Sequence, residues 1–292
     1  MGAGKRRFGD RKDGRRLRSL DPYNALTPFI MKERNDSSNY LSDSVEITEI
    51  DRFLREKRVA GCPGMGMLHL FIAAYVRVVS QYPGINRFIS GKRIFARNNV
   101  EFIMTVKKDL SINAGETSVK IAFHPGETID DVYRKLEIEI QKVKTDAETT
   151  STDKAAGAFM KLPRIILMAA IRVVEIMDYF GLLPRSLVAA SPFHGSLVIT
   201  DMGSIGLPAI HHHLYNFGNV PVFVAFGTKY KSLEIDNSGV VSEKKCVDYK
   251  LVLDERICDG FYFSQAYKML KSLLKNPRAL NNPPEKVAED VR

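Results

Sequence analysis

Apolar and polar positions along the chain alternate between the strand and the helix period, and this predicts a succession of short strands and amphipathic helices. Residues 13–39 hold Pro22, Pro28 and a cluster of Asn, Asp and Ser around one short apolar run, which predicts an extended arm entering a strand. Residues 40–50 alternate in strand fashion, and residues 47–57 carry apolar side chains at helical spacing behind Thr48, a candidate N-cap. The block MGMLHLFIAAYVRVVSQY is apolar on nearly every face and ends before Pro83, as a buried helix does.

Further on, Gly91 separates two short apolar runs over residues 88–94, and residues 102–106 and 119–123 alternate as strands. Residues 128–143 predict a helix with Thr128 at its cap and Asp130 and Asp131 in the first turn. A polar loop over 144–157 precedes the most apolar stretch, 162–183. A projection at ~100° per residue puts Arg164, Arg172, Glu175 and Asp178 on one side, which predicts an amphipathic helix packed against protein rather than a membrane span. Strand-like runs follow at 196–200, 220–227 and 248–255, with a turn at 237–239, and a last helix covers 261–275 with Lys268, Lys271 and Lys275 towards its C-terminal end.

With 292 residues, 45% apolar and 26% charged, the chain suits one folded domain over residues 15–280, flanked by a flexible tail at 1–14 and a loose one at 281–292. Of the net charge of +9, residues 1–18 supply +6, so the rest of the chain is nearly balanced. No basic stripe interleaved with aromatics is visible, and nucleic acid is not the expected partner. Three cysteines, Cys62, Cys246 and Cys258, without a CxxC pair, predict neither a disulfide framework nor a metal site and fit a reducing cytoplasm. The N-terminus has no apolar signal core.

Glycine-rich residues 61–66 lack the Lys of a phosphate-binding loop. Adjacent histidines at His211, His212 and His213 have the ring chemistry for metal or proton transfer, yet neighbours in a regular element cannot all aim at one point, and a structural or interface role competes.

The string LVLDERICDGFYFSQAYKMLKSLL, residues 251–274, reads strand, polar turn with Asp259-Gly260, then helix. It resembles the C-terminal signature of the acyltransferases that include chloramphenicol acetyltransferases and the catalytic domains of dihydrolipoyl acyltransferases of 2-oxo acid dehydrogenase complexes. Residues 83–108 and 196–206 resemble the family's central segment and the strand and turn upstream of that motif, in the same order. Residues 144–192 depart from it as a helical insertion.

The resemblance implies a two-layer α/β fold with a mixed sheet and helices on one face. It also implies a homotrimer with active sites at subunit boundaries, coenzyme A or an acyl-CoA entering at one end and a small-molecule or thiol acceptor at the other. In the family a motif histidine deprotonates the nucleophile and a Ser or Thr hydroxyl steadies the oxyanion; Thr200 is the best match for the hydroxyl. The histidine is replaced here by Glu255, four residues before Asp259. Carboxylate (pKa ~4.3) is a weaker base than imidazole (~6.5). Three readings therefore stand open: Glu255 as a modified base, another base such as His212, or a catalytically silent scaffold or small-molecule binder. A structural alternative for Glu255 is an ion pair with Arg256 or with a basic residue of a neighbouring subunit, and Asp259 would brace the site through Arg16 or Arg18. No lipoyl attachment region fits within residues 1–40.

Overall fold

The computed structural model describes residues 7–107, 116–145, 157, 160–235 and 237–291. Among the described residues nine strands form two sheets. The small one takes β1 (Gly14–Arg16), β4 (Arg93–Arg97) and β3 (Arg87–Ser90), in the order β1-β4-β3. The larger one adds β2 (Ser38–Glu46), β5 (Val100–Lys107), β6 (Glu116–Phe123), β7 (Leu197–Asp201), β8 (Val222–Ile235) and β9 (Val241–Asp254), in the order β2-β9-β8-β7-β5-β6. It is mixed: β7 runs parallel to both β5 and β8, and the remaining pairs are antiparallel.

Strand alternation gives this sheet two faces. Leu197, Ile199, Val224, Phe226, Tyr249 and Leu251 point into the main core, under α2 (Thr48–Val59), α3 (Met67–Gln81), α4 (Ile129–Thr145) and α7 (Gly260–Lys275). Phe71 of α3 stacks on Phe226 at 4.9 Å. Val198, Phe223 and Val252 point the other way and meet Leu214. The expected α/β architecture with a mixed sheet and a helical layer is present.

Two local expectations change. The stretch expected as an extended arm forms α1 (Pro22–Ile30), because Asp21 accepts from Asn24 N at 3.1 Å as N-cap and Pro22 fills the first helical position, where a missing N–H costs nothing. Thr48 is the first residue of α2 rather than its cap; Ile47 takes the cap position without a side-chain bond. The turn around Gly91 is the tight one expected: Gly91 and Lys92 both have positive φ (55° and 58°), as a two-residue hairpin of β3 and β4 requires. Part of the loop expected at 144–157 belongs to α4, and residues 146–156 lie outside the described residues.

The chain ends carry more contacts than their composition suggests. Arg11, Arg15 and Arg18 are not spread into solvent: Arg11 meets Asp13 and Asp178, Arg15 donates to the carbonyls of Asp290 and Val291, and Arg18 pairs with Asp10. At the other end Asp290 is buried, holding Arg87 through two hydrogen bonds, and Ala288 N donates to Ser80 O at 2.7 Å. Among the described residues, Arg11 and Asp290 thus tie segments 7–14 and 281–291 to the body, where local composition alone read loose tails; residues 1–6 lie outside the described residues.

The insertion helix α5 (Arg164–Tyr179) reaches the body at its last turn and continues through α6 (Arg185–Ala190). Asp178 receives the Arg11 guanidinium at 2.6 Å, and His194 Nε2 lies 3.3 Å from it while His194 Nδ1 is 2.8 Å from Ser191 Oγ. The Tyr179 carbonyl sits where a Cβ on Gly91 would come within 2.3 Å, so this landing demands glycine. Burial pushes the Asp178 carboxyl up, but the His194 ring and Arg11 overcome it and hold the group at about 2. Its native pKa lies below the unfolded ~3.9, so the contribution is complete above about pH 4 and is lost as pH falls towards 2, about 2 kcal/mol. Hydrogen exchange compared at pH 5 and pH 2.5 should show α5 loosening in acid, and Asp178→Asn should show the loosened pattern at both.

Candidate active site

Two aspartates fix the turn between β9 and α7. Asp254 ends β9 with no exposed surface, and its carboxylate accepts from Arg256 Nε and Nη2 at 2.8 Å each. Arg34 Nε lies 3.5 Å from the same carboxylate, while its other nitrogens donate to the carbonyls of Tyr215 and Gly218. Burial pulls Arg34 down to about 10 against the opposing pull of Asp254. Asp259 accepts from Tyr262 N at 2.8 Å and caps α7. Between these anchors Glu255 opens to solvent and bonds to no described residue.

This corrects two expected pairings. Arg256 turns inward to Asp254, so the Glu255–Arg256 ion pair is not formed. Arg18 is engaged by Asp10 and the Phe8 carbonyl, and within the chain Asp259 serves as a helix cap rather than as the partner of Arg16 or Arg18.

Thr200 lies on β7 with its side chain on the face opposite the main core, since Leu197 and Ile199 take the core side. Its hydroxyl is 3.8 Å from Met202 Sδ. Thr200 pairs with Ala225, and Ala225 with Lys250, so Glu255 lies two strands across and five residues further along β9. At ~3.3 Å per residue and ~4.8 Å per strand, that puts the two roughly 20 Å apart. Within one chain they do not meet.

The three histidines diverge, as adjacent side chains on extended backbone must. His211 approaches Ser42 Oγ and the Leu41 carbonyl, His212 stacks on Phe223 at 4.2 Å, and His213 meets the Tyr215 ring edge-on. Burial, and the neighbouring His213, lower the His212 pKa, and its Nε2 has no hydrogen-bond partner. Because Phe223 pairs with Val198 and Val252, His212 sits on the same sheet face as Thr200, between it and the Glu255 end. Among the described residues no group of three or more His, Cys, Asp or Glu could hold a metal ion.

The sequence reading passed over Asp254 and Arg34 and gave Arg256 another partner, although these three orient the whole turn. An available signal was the Asp-x-Arg spacing around Glu255, which sends both flanking side chains to the same side. It also passed over Asp201, next to Thr200, whose carboxyl burial pushes up against the hydrogen bonds it accepts from the N–H groups of Ser204 and Gly203.

No protein-family model and no curated protein matches the sequence. Among solved structures the chain is similar to the dihydrolipoamide acetyltransferase of Azotobacter vinelandii, at 15% identity and a TM-score of 0.57, over 94% of this chain and 95% of that one. A serine, a histidine and an asparagine four residues beyond the histidine have been investigated for a role in that enzyme's catalytic mechanism. A probable dihydrolipoamide acetyltransferase from Listeria monocytogenes matches at 14% identity and a TM-score of 0.56, over 88% of this chain and 94% of that one. A chloramphenicol acetyltransferase matches at 12% and 0.52, over 88% and 99%. The chain therefore has the acyltransferase fold common to dihydrolipoamide acetyltransferases and chloramphenicol acetyltransferase. At these identities the likeness is one of fold.

Proposed function

We propose that the protein transfers an acyl group from a thioester, coenzyme A being the expected carrier, to a small thiol or hydroxyl acceptor, at sites assembled between chains. The observation carrying this reading is Glu255: solvent-open, without a hydrogen bond or ion pair among the described residues, and held by Asp254 and Asp259 at the end of β9. Its spacing of four from Asp259 equals that of the histidine and asparagine in the Azotobacter enzyme.

In the proposed step Glu255 takes the acceptor's proton as the acceptor oxygen or sulfur attacks the thioester carbonyl. The Thr200 hydroxyl of an adjoining chain donates to the resulting oxyanion. Collapse breaks the C–S bond, and the leaving thiolate recovers the proton from the Glu255 carboxyl. A homotrimer supplies such junctions, and the three free cysteines suit a reducing cytoplasm.

Thioester cleavage over a panel of acyl donors tests this. Glu255→Gln should lower the acceptor-dependent rate by ~10²-fold or more, and Glu255→His should retain or raise it. A wild-type rate at background with every donor, unchanged by either substitution, would end the reading. It would leave the alternative of a silent scaffold or small-molecule binder, which is favoured by the distance of Glu255 from Thr200 in the single chain.

A further inference from the structure

A surface helix ordinarily turns its apolar stripe inward and its charges to water. Helix α5 turns part of its apolar surface outward instead: Leu167, Ala170, Ile171, Val174 and Met177 lie half-buried beside Asp178, which Arg11 and His194 draw into the body, and none of the helix residues is fully buried. The expected packing of its apolar residues against the rest of the chain is therefore met on one side of the helix only. Ile165 (82% exposed), Met168 (64%), Val173 (53%) and Ile176 (49%) face outward along the helix, and Phe180 (67%) continues the strip beyond it.

The unpaired exposed charges near this strip are basic. Lys161, Arg164 and Arg185 are exposed, while Arg172 and Glu175 pair with each other at 2.9 Å and Asp178 is turned inward. The helix is ~24 Å long, short of the ~30 Å hydrocarbon core, and no helix among the described residues is long and apolar enough to cross a membrane. An apolar strip rimmed by cations suits the boundary between headgroups and acyl chains, where the strip inserts and the long basic side chains reach phosphates.

We propose that the outward face of α5 docks the protein peripherally on a bilayer containing anionic phospholipid. A second copy of the same face would add its own basic residues to Lys161, Arg164 and Arg185, whereas anionic headgroups neutralise them. The inference stands on α5 alone and does not depend on acyl transfer.

The chain contains no tryptophan, so Ile165→Trp introduces a single fluorescent reporter on this face. With the full-length protein and phosphatidylcholine vesicles containing phosphatidylglycerol, its emission should shift to the blue and the protein should co-sediment, with binding weakened by salt. Phosphatidylcholine alone should bind at least tenfold more weakly. Arg164→Gln should cost about fivefold in partition, and Ile165→Glu combined with Ile176→Glu should abolish binding while circular dichroism stays unchanged. No binding to either vesicle, or equal binding to both, would overturn the proposal. So would a reporter already blue-shifted in buffer, together with an oligomer that Ile165→Glu dissociates, since the face would then belong to a second copy.

Discussion

Asp254→Ala should destabilise the protein by about 3–5 kcal/mol, the range for removing one partner of a buried ion pair. Asp254 has no exposed surface and is the carboxylate that both Arg256 and Arg34 lean on. Removing it leaves two buried guanidinium groups without their counter-charge. Arg34 is the more exposed to this loss, because its burial already disfavours the charged form and its Nε has no hydrogen-bond partner. Its remaining bonds go to backbone carbonyls of Tyr215 and Gly218, so that loop would be released together with the Glu255 turn. Urea unfolding followed by circular dichroism would show a lower midpoint. Asp254→Asn, which keeps the acceptor oxygen and the shape, should lose clearly less. Equal midpoints for Asp254→Ala and wild type would mean that water reaches the pair and that the turn is held by something else.

The parts of this fold that were legible in the sequence are those governed by near neighbours. Alternation placed β2, β5, β6 and β7, the Gly91 hairpin announced itself by one glycine between apolar runs, and Asp259-Gly260 marked the start of α7. The misread parts depend on partners that local pattern cannot name. Arg11 and Asp178 are 167 residues apart, and Arg87 and Asp290 are 203 apart. Segments 7–14 and 281–291 therefore looked loose, although Arg11 and Asp290 tie them to the body. The same long-range pair bears on α5: periodicity located its charged residues, but only the Arg11 contact decides that Asp178 among them is drawn inward while Arg164 and Arg172 stay exposed.

The candidate site divides in the same way. Its residue types and the spacing of Glu255 to Asp259 were in the text of the chain, while the separation of Thr200 from Glu255 depends on the register of β7, β8 and β9. Divergence of the three histidines followed from backbone geometry alone. The framing of Glu255 did not, because Arg34 comes from more than 200 residues upstream.

That separation generates the sharpest test of how the site is assembled. If Thr200 of one chain serves Glu255 of the next, then Thr200→Ala and Glu255→Gln are each defective at every site of their own homotrimers. Co-refolded in equal amounts, they must form some junctions at which an intact Thr200 meets an intact Glu255. For random assembly into rings with one site per junction, both chains at a junction must be of the right kind, so about a quarter of the wild-type acyl-transfer activity should return. A site contained within one chain predicts no recovery at all, since every chain then carries one lesion. Chains mixed after folding, without exchange, should likewise stay inactive, which separates assembly from trace contamination. The two variants should keep the wild-type unfolding midpoint, because Glu255 bonds to no described residue and the Thr200 hydroxyl makes a long contact to Met202 Sδ. Loss of activity without loss of stability, reversed by mixing, is the pattern expected of two surface groups that become a catalytic pair when the sheet face of one molecule closes over the β9–α7 turn of another.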